Sequence, residues 1–314
     1  MGISHHILKI MKTKRIVILV SLVCVVLAVV FVARNPYLLK LGQQEFRATT
    51  TRLYGTPNTP PSHPTMATEY QYGTGTLETI DVYPQTGEVN APIIVMVHGG
   101  AWFIGDKNNT NVWQNKLNYW GPKGYMLITV NYPMMNDGYK PDAQATEVAR
   151  ALTYIQQNAQ SWGGNASKMV VMGHSAGAHL VSLVSVKRTS YENVQPWSGT
   201  ILLDSAAYDL TAMMQGHPAS FYKDAFGATP AYWTANSPLE QLTKKVEPLF
   251  LVCSSNRADS DCEQADVFKN KAISLGGTAT LRAEALSHEE INTTLGLPGA
   301  YTEAVDGFIT SVTE

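Results

Sequence analysis

Met169-Val170-Val171-Met172 is a continuous apolar run that leads directly into Gly173-His174-Ser175-Ala176-Gly177 and then into a helix-compatible stretch, Ala178 to Lys187. A buried strand, a G-x-S-x-G turn and a helix in that order leave the chain few paths. The turn is so tight that side chains at its glycine positions would clash, and the serine between them is held in a strained conformation. Its hydroxyl then projects from the carboxyl edge of a sheet.

The same alternation runs along the rest of the chain. Glu69 to Tyr72 and Leu77 to Tyr83 read as two strands around Gly73-Thr74-Gly75, a hairpin at a sheet edge. Pro92 to Val97 is a short apolar run of the kind buried on both faces, and Tyr125 to Val130, Lys168 to Met172, Thr200 to Leu203, Glu247 to Val252 and Thr278 to Ala283 are further strands. Helical spacing of Val148, Ala151, Leu152 and Ile155 predicts a helix over Asp142 to Asn158; Cys262 to Leu275, stopped by Gly276-Gly277, and Tyr301 to Val312 are two more. Strands alternating with helices predict an α/β domain: a mostly parallel twisted sheet with helices on both faces.

That domain spans 68–314 in this reading. Ahead of it lie a basic leader (1–15), an uncharged apolar run of 18 residues from Ile16 to Ala33, and a proline-rich linker (34–67). As a helix the run would extend about 27 Å at about 1.5 Å per residue, close to the thickness of a bilayer's hydrocarbon. It is expected to be an uncleaved transmembrane anchor, with a cleaved signal sequence as the alternative. The dense basic leader favours an extracytoplasmic location for the domain, periplasmic or extracellular. Cys253 and Cys262 could pair in an oxidising compartment, or stand as one buried and one surface thiol. A net charge of −2 gives no electrostatic footprint for nucleic acid. No phosphate-binding glycine loop, dinucleotide fingerprint or Cys/His metal spacing occurs, so neither cofactor nor metal is expected.

A second motif, His98-Gly99-Gly100-Ala101-Trp102, follows the strand ending at Val97. With both motifs in this order, the chain resembles the α/β-hydrolase superfamily, in particular the hormone-sensitive-lipase-like and feruloyl-esterase-like carboxylesterases, from about Glu69 to its end. The resemblance implies an oxyanion hole from the amides of Gly99, Gly100 and Ala176. Ala101 stands where lipase-type members often carry another glycine. Acyl transfer develops negative charge on a carbonyl oxygen, and amides already aimed there stabilise it without reorganising.

A serine hydroxyl also needs a base, and the base a carboxylate. In this superfamily the chain order is serine, acid, histidine. His217 and His288 follow Ser175, and His288 alone lies beyond the last strand, which makes it the expected base. Family members place the acid in the loop after the strand ending near Val252, shortly before a Gln and a Phe, which Gln264 and Phe268 match. Asp259 fits that spacing best and Asp261 next, with Asp204 and Asp209 ranked below them. Trp102 and Tyr132, at strand carboxyl ends, are candidate substrate contacts, and His217 to Trp233 a small cap. The reading is a carboxylesterase acting on a small-molecule ester through Ser175, His288 and Asp259. An arylformamidase or peptidase would use the same groups, and a catalytically silent, membrane-tethered binding module is the alternative of another class.

Overall fold

Eight strands form one sheet: β1 (Thr68–Gln71), β2 (Thr79–Tyr83), β3 (Ala91–Val97), β4 (Met126–Val130), β5 (Gly164–His174), β6 (Gly199–Leu203), β7 (Leu249–Ser254) and β8 (Ala279–Glu284). The computed structural model describes residues 66–84, 90–257, 259 and 261–314. The expected anchor at 16–33 and nearly all of the linker lie outside the described residues. Among those described, no helix is long and apolar enough to cross a membrane.

The strand order is β1-β2-β4-β3-β5-β6-β7-β8. β1 and β2 form the expected antiparallel hairpin, β2 runs antiparallel to β4, and every other pairing is parallel. Ten helices accompany the sheet among the described residues: α1 (Thr110–Trp120), α2 (Pro141–Asn158), α3 (Ala176–Val186), α4 (Leu210–Gln215), α5 (Ser220–Phe226), α6 (Pro230–Asn236), α7 (Pro238–Gln241), α8 (Asp261–Ser274), α9 (His288–Thr293) and α10 (Ala300–Thr313).

Side-chain alternation along the central strands accounts for the layers. Ile93, Val95 and Val97 of β3 point into one apolar cluster with Val148, Leu152 and Ile155 of α2 and Leu180 and Val184 of α3. Ile94 and Met96 point into a second, with Val112 and Trp120 of α1 and Val305 and Ile309 of α10. Both faces are covered, which is why β3 reads as an unbroken apolar run.

After β3 the chain moves to β4 on one side, then returns to β5 on the other. Such a reversal opens a crevice at the carboxyl ends of the two strands, where ligands of open α/β sheets bind. α3 starts against this crevice: a Cβ on Gly177 would lie 2.3 Å from the Val97 carbonyl oxygen and 2.4 Å from that of His98. At the far side, a Cys253–Cys262 disulfide joins β7 to the first turn of α8.

Gly177→Ala is expected to push α3 off β3 and destabilise the fold by about 1–3 kcal/mol, measured by urea unfolding. Replacing both Cys253 and Cys262 by alanine is expected to cost about 2–4 kcal/mol in the same assay, and an unchanged midpoint would show that the cross-link adds no stability.

Candidate active site

The parallel register brings the carboxyl ends of β3, β5 and β6 side by side, with Val97 opposite Gly173 and His174 opposite Leu203. The Ser175 amide donates to the Leu203 carbonyl at 2.9 Å, and the chain then reverses at φ 55° and ψ −120°. An L residue held there is strained by about 1–3 kcal/mol and needs its surroundings to enforce the shape. They do: a Cβ on Gly173 would sit 2.4 Å from the Gly177 carbonyl oxygen, and one on Gly99 would sit 2.8 Å from the Ser175 Cβ.

His288 arrives from β8 as the first residue of α9. Ser287 caps that helix by accepting from the Glu290 amide (3.3 Å), while the Glu290 carboxylate accepts from the Ser287 amide (2.8 Å). This reciprocal box fixes where the helix begins, and so where the imidazole stands. His288 Nε2 lies 2.9 Å from Ser175 Oγ, and Nδ1 lies 2.5 Å from Asp204 Oδ2. An ionised carboxylate only accepts, so Nδ1 carries the proton and the Nε2 lone pair faces the serine hydroxyl. His174 steadies the ring from behind, its Nε2–H donating to the His288 carbonyl at 3.0 Å. Burial and the neighbouring His288 hold the His174 pKa well below its ordinary value, so it stays neutral.

The carboxylate on His288 is therefore Asp204, not Asp259. Asp204 follows β6 directly, has φ 55° and is fully buried. Its Oδ1 accepts from the Ser254 amide at 2.7 Å, and its Oδ2 accepts from Arg257 Nη1 at 2.8 Å. Burial alone would raise its pKa; hydrogen bonds from His288 and Asp261 and the Arg257 charge outweigh that and hold it well below the usual carboxylate range. Asp259 is exposed and turned to the guanidinium of Arg257, whose Nε donates to it at 2.8 Å. Arg257 blocks its way to the imidazole, because Nη1 already lies 3.0 Å from His288 Nδ1. Asp261, the second choice from sequence, is buried beside Asp204 without reaching His288.

Gln264 and Phe268, the landmarks that favour Asp259, serve the other loop. The Gln264 side-chain oxygen accepts from the amides of Tyr208 and Asp209, at 3.1 and 2.9 Å, and Phe268 stacks on Tyr208. They brace the segment that carries Asp204. Asp209 caps α4 through the Ala212 amide.

The loop after β3 is anchored through three successive carbonyls. That of His98 accepts from the Tyr132 hydroxyl (2.9 Å), that of Gly99 from His98 Nδ1 (2.8 Å), and that of Gly100 from the amides of Phe103 and Ile104 (3.0 and 3.1 Å). In a trans peptide the N–H points opposite to the preceding carbonyl, so the amides of Gly99, Gly100 and Ala101 face away from those anchors. Ala101 shares this orientation with Gly99 and Gly100. The Ala176 amide, at the first turn of α3, has no acceptor within its own helix.

Trp102 and Tyr132, expected at the substrate, support this loop instead. Tyr132 is fully buried and stacked on His98. Trp102 is 2% exposed, packs edge-on against Phe226 and donates from Nε1 to His179 Nδ1 at 3.3 Å. Helices α4 to α7 take the place of the expected cap, and α5 rests on Trp102. A cleft of about 460 Å³ opens between α4, α5 and α8, lined by Met213, Phe221, Tyr222, Val267, Asp259 and Glu263 among others. Ser175 is not part of its lining. Cys253, Cys262 and Asp261 bring three potential metal ligand atoms within 4.8 Å of one another, but both sulfurs are committed to the disulfide.

Sequence reasoning ranks Asp204 below Asp259 and Asp261 and gives Arg257 no role. The signal for Asp204 is an Asp one residue past a buried strand, adjacent in the sheet to the serine's strand.

A model of the BD-FAE family matches residues 80–271, more than half of the chain. The chain is similar to a kynurenine formamidase of Salmo salar (27% identity over 186 residues, covering 59% of this chain and 58% of the relative). It is also similar to esterase LipQ of Mycobacterium tuberculosis (23% over 260 residues, 76% and 61%), so it spans about three-fifths of the length of these curated relatives. Esterase B from Lactobacillus Rhamnosis shares the fold, with a TM-score of 0.68 at 17% identity over 87% of this chain and 92% of that one. With its mostly parallel eight-stranded sheet and the family match across the elbow, the chain belongs to the BD-FAE family of α/β hydrolases.

Proposed function

We propose that the protein is a serine hydrolase that cleaves carboxylic esters of small molecules through an acyl-enzyme on Ser175. The observation that carries this reading is the hydrogen-bonded series from Ser175 Oγ through His288 to the buried Asp204, set beside a loop whose amides are turned outward.

In the first step Ser175 Oγ attacks the ester carbonyl carbon while His288 Nε2 takes its proton. Asp204 stabilises the imidazolium and keeps the proton on Nδ1. The carbonyl oxygen becomes an oxyanion within reach of the Ala176 amide and those of Gly99, Gly100 and Ala101, donors that act with most effect where water is excluded. His288 then returns its proton to the leaving alcohol oxygen as the C–O bond breaks. In the second half, His288 deprotonates a water that attacks the acyl carbon. The acid departs and Ser175 recovers its hydroxyl.

The formamidase relative supports a second reading, in which the leaving group is an aromatic amine and the acyl group is formyl. The same residues would serve, because His288 protonates nitrogen as it would oxygen. The Cys253–Cys262 disulfide supports an oxidising, extracytoplasmic location for the domain, with residues 16–33 as its tether.

Asp204→Asn is expected to lower kcat by about 10³–10⁴-fold, while Asp259→Asn changes it by less than about threefold. Steady-state kinetics on a short acyl ester distinguish the two, and the opposite ranking would return the acid to the β7 loop. Ser175→Ala is expected to abolish both turnover and labelling by a fluorophosphonate. A panel of acyl esters and formanilides, ranked by kcat/KM, separates the two substrate classes; a preference for formanilides above about tenfold would replace the ester reading.

A further inference from the structure

Asp261 has no part in the mechanism above, yet it is one of the most deeply placed carboxyl groups in the protein, 1% exposed. Its Oδ2 accepts from the Ser254 amide at 3.1 Å, and that same N–H donates to Asp204 Oδ1 at 2.7 Å. Two carboxyl groups thus converge on a single donor with almost no access to water. Two carboxylates in contact cannot both ionise freely, so one keeps a proton and gives it to the other as a hydrogen bond. Asp204 faces His288 and Arg257 and holds the charge, which makes Asp261 the protonated partner. The disulfide enforces the meeting, since Cys262 follows Asp261 and Cys253 precedes Ser254.

We propose that Asp261 is a positioning residue for the reaction assigned above, its neutral carboxyl donating a hydrogen bond to Asp204 and thereby directing Asp204 Oδ2 at His288. The proposal rests on the serine-hydrolase reading and deepens it.

Burial, followed by the hydrogen bond and charge of Asp204, pushes the Asp261 pKa up to about 7. The groups facing it are Asp204 and Tyr208 from the segment after β6, Arg257 with its partner Asp259 from the β7–α8 loop, and His288 from α9 through Asp204. Both cysteines are in the disulfide and do not titrate. As pH rises through neutrality, Asp261 loses its proton and adds a second negative charge behind the imidazole. Without its proton Asp261 no longer donates to Asp204, and the hydrogen bond that directs Asp204 Oδ2 is lost.

The test is the kcat/KM profile of the full-length protein between about pH 5 and pH 9, with labelling of Ser175 by a fluorophosphonate as a separate readout. The wild type is expected to lose activity as pH rises through neutrality, where Asp261 gives up its proton. Asp261→Leu, which has no donor, is expected to lose about tenfold in kcat with KM within about twofold, whereas Asp261→Asn restores the donor and recovers kcat to within about threefold at acid pH. The Asn variant, whose donor does not titrate, is expected to lack that fall, a change that a merely structural role would not produce. Should the Leu variant fail to fold, the shape of the Asn profile alone decides. A wild type that labels and turns over, with both variants matching it in kcat and profile, overturns the pairing and leaves the hydrolase reading standing. A wild type that neither labels nor turns over overturns both.

Discussion

Asp204 carries its charge with no exposure to water, and a carboxylate taken into a protein interior costs several kcal/mol unless donors replace its hydration. Much of the surrounding architecture meets that requirement. The Ser254 amide and Asp261 serve one side of the carboxylate, His288 and Arg257 the other. The donors come from two stretches of chain, the β7–α8 segment and the start of α9, and none reaches Asp204 unless the ends of β6, β7 and β8 lie in register. Arg257 neutralises more than one group, since it also binds Asp259 at the surface; burial weakens its hold on its proton, but the hydrogen bonds and charges of Asp259 and Asp204 outweigh that and strengthen it. A net pair of charges, Asp204 and Arg257, is left beside an imidazole whose tautomer it dictates.

Backbone strain gathers around the same point. Ser175 and Asp204 both have φ near 55°, and Ala101 and Trp102 have φ of 52° and 68°. None is a glycine, so each departs from the conformations that L side chains favour. All four directly follow, or lie within a few residues of, the carboxyl ends of β3, β5 and β6. The hydrogen bonds that hold them span strands rather than turns: Ser175 N to Leu203 O, and Asp204 N to Val252 O. The sheet supplies the rigidity that keeps these unfavourable shapes in place.

What the sequence discloses and what it hides divide along this line. The elbow at 173–177 and the box that starts α9 are written in consecutive residues, because a tight turn and a capped helix depend on neighbours within four positions. The alternation of buried runs with helical spacing is equally local, and β1 to β8 follow it closely. Ser175 and His288 accordingly come together as the motifs and chain order suggest. The choice among Asp204, Asp259 and Asp261 is different in kind. Adjacent parallel strands are about 4.8 Å apart, so loops after β6 and β7 can each bring a carboxylate to the same imidazole. Which one arrives depends on Arg257 and the disulfide, neither of which leaves a local pattern. Helix α1 is hard to see for another reason: it is polar apart from a narrow stripe, and its buried Lys116 reaches backbone and side-chain oxygens of Asn292 behind His288. Burial alone lowers that lysine's pKa to about 7.

The loop between β3 and α1 shows how support for the reacting groups extends outward. At its start, His98, Gly99 and Gly100 are fixed through their carbonyls. In the middle, Trp102 is tied to His179, which in turn donates to the Asn236 carbonyl at the end of α6. Burial lowers the His179 pKa to about 4, so this link stays neutral, with one nitrogen donating and the other accepting. At its far end, Lys107 is buried between Asp81 and Glu69, 2.7 Å from each, and its amide donates to the Asn131 side chain. The segment is therefore joined on one side to the short helices after β6 and on the other to the edge hairpin. A group that displaced α5 would act on Trp102, and through Trp102 on the positive-φ turn at Gly100 and Ala101. Tyr222 makes this connection directly, because it both lines the cleft and packs on Trp102.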